Sequence, residues 1–317
     1  MIVSVDSEMI EAASHFSDWR IYPDNMHSCV GMVGKKWLNF ALMTPRMQNF
    51  VQLFIDAIKQ HAGLDFSVQF QSGQLNLKIR LARFPGYLAG RSMSINTPDL
   101  DRLTSNKDVK DLVLSSVLNI QGGLVICIGN PGTGKSYFAH AATRERLKQY
   151  GGHLVVIGDP LESPIGDDGT FVVGTNGYVD EIDVSEIGAT LGLKMALRSY
   201  PVGIKPLLLF SEVRSDTNAF DLVNAAINGF TIFTTTHAST PDACVDRLIS
   251  WCVKGGVDIG LVRNMLAQSL FGITSHKFEH GQFTIYAYPC LEETRKRIRE
   301  GLPLPFKSTA AMKFSKS

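Results

Sequence analysis

The hydrophobic pattern divides the chain into two parts of different character. In the first part, short alternating runs predict strands at 18–22, 28–33, 66–70, 75–81 and 91–95. Residues 46–61 place apolar side chains at i, i+3 and i+4, which indicates an amphipathic helix. Ser72 and Gly73 lie between two of the runs and predict a hairpin turn. Residues 1–105 are therefore predicted to form a mixed α/β domain.

The second part begins after a polar stretch at 96–107, which predicts a linker. Apolar runs then alternate with segments of helical length, and this order is typical of a parallel sheet covered by helices. We expect strands at 124–128, 153–157, 207–210, 231–235 and 270–274, and helices at 135–150, 185–200, 217–227 and 241–252. Residues 106–317 are predicted to form this second domain.

Composition narrows the class of protein without naming a function. The 317 residues are 44% hydrophobic and 19% charged, with a formal net charge of +1, which gives no bulk attraction to nucleic acid or membranes. No two of the five cysteines have CxxC spacing, so we expect free thiols in a reducing compartment and no zinc site. The N-terminus has no basic segment ahead of an apolar run, and we expect a cytoplasmic protein without a signal peptide.

A charge-free run at 112–134 is long enough to raise the question of a membrane span. It contains serines, amides and adjacent glycines, and it ends in the sequence GNPGTGKS. A helix, a glycine break and a buried strand explain the run better than a membrane segment does.

The sequence GNPGTGKS (129–136) matches the phosphate-binding pattern GxxxxGK[ST] between a predicted strand and a predicted helix. Glycines let successive backbone N–H groups face an anion, and the helix N-terminus adds partial positive charge. Lys135, expected to face solvent in the absence of ligand, would reach the outer phosphates, and the Ser136 hydroxyl would ligate magnesium. The structural alternative is a glycine-rich turn. The predicted nucleotide-binding residues are Gly129, Asn130, Pro131, Gly132, Thr133, Gly134, Lys135, Ser136 and Tyr137.

Polar clusters follow three further predicted strands, where ligands collect in open α/β sheets. Asp159 and Glu162 lie in GDPLE (158–162), and Glu212 lies in SEVRSDT (211–217). Glu212 is expected to hold magnesium or to orient the attacking water, and His237 to sense the γ-phosphate. Each cluster has an ordinary alternative, namely a turn, a solvated strand end or a structural histidine. Their common placement behind a phosphate loop favours the functional interpretation.

The motifs in this order resemble those of the secretion ATPase superfamily, the motors of type IV pili and of type II and type IV secretion. GNPGTGKS is similar to the Walker A motif of that superfamily, GDPLE to its aspartate box, SEVRSDT to its Walker B region and TTTH (234–237) to its histidine box. Further similarities are ALRSYP (196–201), DRLIS (246–250), RNMLAQSL (263–270) and, with a retraction-type (PilT-like) character, RKRIREG (295–301). FSDWRIYPD (16–24), KIRLARF (78–84) and RSMSI (91–95) resemble the N-terminal domain of these motors.

The resemblance implies a PAS-like α/β domain followed by a RecA-like P-loop core with a mostly parallel sheet. It implies ATP and Mg²⁺ as ligands, with Ser136 and Glu212 at the metal and Glu212, Glu162, Asp159 and His237 at the reaction centre. Arg80, Arg83 and Arg91 are candidates to meet the phosphates or a neighbouring subunit, with exposed strand-edge arginines as the alternative. The implied assembly is a homo-hexamer at the cytoplasmic face of the inner membrane, acting on a membrane platform protein, with no nucleic acid partner.

The sequence departs from the family pattern at several positions. Gly158 stands where the aspartate box usually begins with glutamate, and Val202, Gly203, Ile204 and Lys205 lengthen the approach to Walker B. The tetracysteine module of many relatives is missing. Two alternatives to a motor therefore stay open: a weakly hydrolysing nucleotide-binding subunit of such a machine, and a DNA-dependent RecA-like ATPase.

Overall fold

A computed structural model describes residues 1–73, 75–93, 97, 99–159, 161, 165, 175–185, 187–214, 216–279, 282–305 and 309–315. The chain divides into two units, Met1–Asn96 and Thr97–Ser317. The sequence places the domain boundary between residues 105 and 106, and that boundary stays a prediction. In the structure, residues 97–105 are grouped with the second unit.

The first unit is built on a sheet with a helical cover. Its strands are β1 (Ile2–Ser4), β2 (Asp18–Ile21), β3 (Val30–Val33), β4 (Lys36–Asn39), β5 (Asp65–Ser72), β6 (Leu75–Phe84) and β7 (Tyr87–Met93). Its α-helices are α1 (Ser7–Ser14) and α2 (Pro45–Lys59), with 3₁₀ turns at Met26–Ser28 and Phe40–Leu42. The described strands lie in the order β1-β5-β6-β7-β2-β3-β4, and all pairs except β1–β5 are antiparallel.

Helix α2 carries the apolar stripe that its periodicity predicted. It begins after Thr44, whose hydroxyl accepts the amide of Met47 at 3.4 Å, and Pro45 occupies the first turn. Phe50 and Phe54 are fully buried on its inner face against Trp19. This aromatic cluster forms the centre of the first core.

The second unit alternates strands and helices. Its strands are β8 (Gly123–Gly129), β9 (Gly152–Gly158), β10 (Gly177–Asp183), β11 (Pro206–Phe210), β12 (Thr231–Thr236), β13 (Leu270–Glu279), β14 (Gln282–Pro289) and β15 (Thr309–Ser315). Its helices are α3 (Leu100–Leu103), α4 (Lys107–Val113), α5 (Ser116–Gln121), α6 (Lys135–Tyr150), α7 (Ala189–Ser199), α8 (Asp216–Ile227), α9 (Pro241–Lys254), α10 (Ile259–Ser269) and α11 (Glu292–Glu300).

The second sheet has the order β10-β9-β11-β12-β8-β13-β14-β15 among the described residues. Every pair from β10 to β13 is parallel, and β14 and β15 are antiparallel additions. Strand β8 is buried along its whole length, as its continuous apolar run predicted. The predicted fold class is confirmed: a PAS-like α/β domain is followed by a RecA-like core with a mostly parallel sheet.

Helix α7 and strand β7 start at residues other than the predicted ones, and the predicted linker is partly helical. Helix α7 starts at Ala189 rather than at residue 185, because the Asp183 carboxylate accepts the Ser185 amide at 3.0 Å and Gly188 has a φ of 80°. Strand β7 starts at Tyr87, four residues before the predicted strand, whose residues 94 and 95 lie outside the described residues. The predicted linker contains helix α3.

Helix α3 is tied to α6 by the polar side chains that suggested a linker. The Asp99 carboxylate accepts from Lys148 Nζ at 2.9 Å and from Arg144 Nη1 at 3.1 Å. Lys148 lowers the pKa of Asp99, with a smaller contribution from Arg144. Polar composition at this point therefore reflects ion pairing within the second unit.

The charge-free run resolves into α5, a glycine break and β8, as expected. None of the helices in the described part of the chain has the length and low polarity that crossing a bilayer requires. Gly122 makes the break with a φ of 77°, and a Cβ at this residue would lie 2.4 Å from the carbonyl carbon of Gly229. Both the backbone conformation and the close approach therefore exclude a side chain.

We predict that Gly122→Ala lowers the free energy of unfolding by about 3 kcal/mol, since left-handed strain of about 1–2 kcal/mol is joined by overpacking. Gly256→Ala is the matched control, because Gly256 has a φ of +88° with no atom within 4 Å of an added Cβ. Urea denaturation of both variants should show the larger loss for Gly122. Equal losses would contradict the backbone clash.

Candidate functional site

The predicted site residues of the second unit follow strands that end at one edge of the sheet. Strand β9 pairs with β11, β11 with β12, and β12 with β8, all in parallel. Their carboxyl ends therefore meet at a common edge, which carries the phosphate loop, Asp159, Glu212 and His237. The sequence prediction that these groups come together is consistent with this topology.

The phosphate loop leaves β8 at a position that admits only glycine. Gly129 has a φ of 148°, and a Cβ there would lie 2.3 Å from the His276 carbonyl oxygen and 2.8 Å from Thr133 Oγ1. The loop then turns through Gly132 and Gly134, with φ values of 78° and 80°. Helix α6 begins directly afterwards at Lys135. The first amides of any helix lack intrahelical acceptors, so this end offers N–H donors to an anion.

Lys135 is buried, contrary to the expectation that it faces solvent. Lys135 is 7% exposed, and its Nζ donates to the Gly129 and Asn130 carbonyl oxygens at 3.0 Å each. The Nδ1 of His237 lies 3.4 Å from the same Nζ. The lysine folds back because the curled loop presents carbonyl oxygens to it, which keeps the ammonium solvated by protein oxygen.

Glu212 is linked to this lysine through His237. Glu212 Oε1 lies 3.0 Å from His237 Nε2, and Glu212 Oε2 accepts from Arg214 Nε at 2.8 Å. Arg214 Nη1 lies 3.9 Å from Asp159 Oδ2. A continuous series of polar contacts therefore runs from Lys135 through His237, Glu212 and Arg214 to Asp159.

Threonine hydroxyls hold the segment that carries Glu212 beyond the end of β11. Thr235 Oγ1 donates to the Ser211 carbonyl at 2.6 Å, and Thr236 Oγ1 donates to the Val213 carbonyl at 3.0 Å. The Val213 amide donates to the Thr235 carbonyl at 2.9 Å. Glu212 is thus fixed between two residues that are bound to β12, the strand that leads into His237.

His276 is a buried neighbour of the loop that the sequence analysis did not select. Its ring lies edge-on to Phe138 with centroids 4.9 Å apart, and its Nε2 lies 3.0 Å from Thr274 Oγ1. Burial, with a contribution from Lys135, lowers the pKa of His276 to about 3, so the imidazole is neutral at physiological pH. The sequence did contain a signal for His276, because it lies just after the predicted strand at 270–274. His237 was selected because it follows a predicted strand in the same way.

A cleft of about 530 Å³ adjoins the loop on the side of β13. It is lined by Asn130, Pro131 and Thr133 from the loop, and by Ser239, His276 and Phe278. Clefts of this volume are in the range that accommodates small-molecule ligands.

Several predicted site residues lie elsewhere or outside the described residues. Ser136 and Tyr137 are half-buried on the first turn of α6. Glu162 lies outside the described residues. Arg80, Arg83 and Arg91 belong to the first unit. Arg83 Nη2 donates to the His61 carbonyl at 2.6 Å, and Arg91 Nε pairs with Asp18 Oδ1 at 3.1 Å. The functional roles assigned to all of these residues stay predictions.

Oxygen groups of the kind that Mg²⁺ prefers lie at this edge of the sheet. They are the Ser136 hydroxyl and the Glu212 carboxylate, whose two oxygens contact His237 and Arg214. The buried Lys135 ammonium and the head of α6 supply the positive field that phosphate requires.

A family model described as Type II/IV secretion system protein matches residues 59–280. The type IV pilus ATPase PilU of Pseudomonas aeruginosa is 30% identical over 159 residues, which cover 50% of this chain and 38% of PilU. The uncharacterized protein YggR of Escherichia coli is 25% identical over 242 residues, covering 74% of this chain and 69% of YggR. The chain therefore spans well under half the length of PilU.

The crystal structure of the pilus retraction motor PilT with bound ADP is similar in fold, with a TM-score of 0.70 and 19% identity. The match covers 92% of this chain and 84% of PilT. The PilT likeness concerns the fold, whereas the family model matched over residues 59–280 shows that the chain belongs to the Type II/IV secretion system protein family.

Proposed function

We propose that this protein hydrolyses ATP to ADP and phosphate, with Mg²⁺, as the hexameric motor of a type IV pilus or of a secretion or conjugation machine. The observation that carries the proposal is the contact series from Lys135 through His237 to Glu212 at the edge of the sheet. It joins the lysine proposed to bind phosphate to the acid proposed to hold the attacking water or a hydrated magnesium. The relatives support it, since PilU is a pilus ATPase and PilT is a retraction motor that binds ADP.

In this mechanism the loop amides and Lys135 bind the β- and γ-phosphates. Lys135 exchanges its carbonyl partners on Gly129 and Asn130 for phosphate oxygens, which form stronger charge-assisted bonds. Bound magnesium would neutralise phosphate charge, with Ser136 as a ligand and Glu212 holding its water shell. Glu212 orients the attacking water, and Glu162 is the second acid proposed for this role.

His237 is suited to report the state of the γ-phosphate. Its Nδ1 lies 3.4 Å from Lys135 Nζ, and its Nε2 lies 3.0 Å from Glu212 Oε1. A phosphate that draws Lys135 away leaves Nδ1 to interact with the new anion. The hydrogen bonding of Glu212 then changes with nucleotide occupancy, which couples binding to the acid.

A weakly hydrolysing nucleotide-binding subunit is the second candidate function. The observation that favours it is Gly158 at the end of β9, where no carboxylate is available and the neighbouring Asp159 is half-exposed beside Arg214. The two candidates differ in steady-state ATP turnover. Stimulation of that turnover by DNA would favour a DNA-dependent ATPase over both.

The assembled motor would place the first unit of one subunit on the core of its neighbour. In such a ring Arg80, Arg83 and Arg91 would approach the nucleotide, because arginine stays charged and binds phosphate through two N–H groups. The proposed location is the cytoplasmic face of the inner membrane, with a membrane platform protein as the partner that receives the work.

Lys135→Ala is expected to weaken ATP binding at least tenfold, because charge-assisted hydrogen bonds contribute about 1.5–3 kcal/mol each. Calorimetric titration with ATP measures the change. Lys194→Ala, at an exposed lysine of α7, is the control and should bind as the native protein does. Since Lys135 also bonds the loop carbonyls, a thermal melt of the variant must accompany the titration. Unchanged ATP affinity in a folded variant would contradict the assignment of the phosphate loop as the nucleotide site.

Glu212→Gln is expected to retain ATP binding while turnover falls by roughly 10² or more, the range for a positioned acid or base. The amide preserves the size of the side chain, so the loss reflects charge. Phosphate release at saturating ATP measures turnover, and Glu300→Gln on the exposed end of α11 is the control. Normal hydrolysis by Glu212→Gln would show that Glu212 is not the acid of the Walker B region.

The hexamer proposal predicts that a non-hydrolysable ATP analogue increases the molar mass measured by light scattering. Arg91→Ala, Arg80→Ala and Arg83→Ala should reduce turnover far more than nucleotide binding. Arg91 gives the most direct test, because its side chain is 67% exposed and its Nε pairs with Asp18 Oδ1 at 3.1 Å. Arg46→Ala, which removes an exposed pair with Glu8, is the control. A monomer with full turnover would exclude the ring.

A further inference from the structure

A small cavity lies at the edge of the second sheet where the parallel strands begin. Its volume is about 180 Å³, and its lining includes Arg146, Lys205 and the first residues of β9, β11 and β12. Sites for whole small molecules measure about 300–1,000 Å³, so this cavity suits a single small group. On helix α6, Arg146 lies about 16 Å beyond Lys135 along the axis. The cavity is therefore distinct from the proposed ATP site.

The cavity is lined by a buried guanidinium whose hydrogen bonds all go to neutral acceptors. Arg146 is 1% exposed. Its Nη1 donates to the Val113 and Ser115 carbonyl oxygens at 2.8 and 3.2 Å, and its Nη2 donates to Asn119 Oδ1 at 3.4 Å. These bonds hold the side chain against the segment that joins α4 to α5. They do not neutralise its charge, and a buried charge without a counter-ion is unfavourable.

Other basic residues of helix α6 are paired with an acid, and Arg146 is not. Arg144 and Lys148 contact the Asp99 carboxylate at 3.1 and 2.9 Å. In the part of the chain that the structure describes, Arg146 takes part in no ion pair. Burial lowers its pKa to about 10, which leaves the guanidinium charged at physiological pH. The position therefore favours a negatively charged ligand.

Arg146 also has unused donors that open into the cavity. A guanidinium has five N–H groups, and the carbonyl and amide partners take three of them. Nε has no partner among the described residues, but unlike His153 Nδ1 and Arg263 Nε it is not closed off from solvent. Because Arg146 is otherwise buried and lines the cavity, this donor faces the cavity. Two N–H groups are thus available to an oxyanion.

A second cation lines the cavity from residues 202–205, the segment that lengthens the approach to Walker B. Lys205 is exposed, and its Nζ donates to the Ile120 carbonyl oxygen at 2.9 Å, which uses one of three N–H groups. The strand start at Gly152 lies next to this segment, since a Cβ there would be 3.4 Å from the Lys205 carbonyl oxygen. No acidic side chain belongs to the described lining. Two cations therefore meet here without an anion.

We propose that this cavity binds a phosphate group between Arg146 and Lys205. Arg146 donates through Nε and its remaining N–H group, and Lys205 supplies a second charge whose direction is adjustable. Phosphate fits better than a carboxylate, because its charge of about −1.5 to −2 balances both cations. The inference does not rest on the proposed ATPase function, since the cavity lies at the other edge of the sheet.

The test follows the Arg146 Nε–H resonance by NMR in full-length protein that contains isotope-labelled arginine. Its absence from Arg146→Lys identifies the resonance. Inorganic phosphate should shift it in a saturable way, with a dissociation constant on the order of millimolar, as expected for a few charge-assisted hydrogen bonds. Acetate at the same ionic strength should not saturate. A resonance that ignores phosphate, or that responds equally to acetate, would overturn the proposal.

Glycerol phosphate is the second probe, because the phosphate group could be a free ion or an ester. Saturation by inorganic phosphate alone would support the site and identify the free ion as its ligand. Saturation by both probes would support a site that also accepts the phosphate ester of a lipid headgroup or a small molecule. Saturation by neither would overturn the proposal.

Lys205→Ala should weaken phosphate binding by about two- to fivefold, the range of an exposed ion pair. Lys254→Ala, at an exposed lysine of α9, is the control and should bind as the native protein does. Lys135→Ala should also retain the response at Arg146, which separates this cavity from the phosphate loop. If Arg146→Lys does not fold, the rise in Tm with phosphate compares Lys205→Ala with Lys254→Ala directly. Equal phosphate binding by these two variants would overturn the assignment.

Discussion

A buried ammonium at the head of α6 is the constraint on which the nucleotide edge depends. Isolated charges are costly away from water, and Lys135 is stabilised by loop carbonyls that only a glycine-lined turn can bring so close. That turn in turn requires Gly129 to pass against the His276 carbonyl of β13. The pairing of β8 with β13, the curl of the loop and the position of the cation are therefore one arrangement, and His237 connects it to Glu212.

Much of this core could be predicted from the sequence, because buried parallel strands have continuous runs of apolar residues. The five strands expected after residue 106 are all present, and parallel pairing brings their ends together without further information. The burial of Lys135 could not be predicted, because it follows from loop carbonyls that converge only in the folded turn. The position of His276 after a predicted strand could have selected it, but its burial could not be predicted, because it depends on Phe138 and on the loop packed around the ring.

The first unit shows how residues of one type differ in what they contribute. Arg83 contacts the His61 and Gly63 carbonyls and lies 5.7 Å from the centroid of the Phe66 ring, so it helps to hold the end of α2 near β5. Arg91 extends into solvent apart from its pair with Asp18. The hydrophobic pattern placed Arg91 on a predicted strand and Arg83 two residues beyond one. It could not separate their roles, because the acceptors of Arg83 are backbone atoms. Its charge is thus partly committed to structure, whereas that of Arg91 is accessible to a partner.

The threonine hydroxyls that fasten Ser211 and Val213 to β12 have a mechanical consequence. Ordinary backbone ladders end where strands diverge, and beyond that point two loops can drift independently. Here side-chain bonds from Thr235 and Thr236 extend the fastening past the end of β11. The residues on both sides of Glu212 are consequently bonded to the strand that leads into His237, so a displacement of the histidine would also move the acid. If His237 and Glu212 have the proposed roles, phosphate sensing and activation of water would follow from one movement rather than from two.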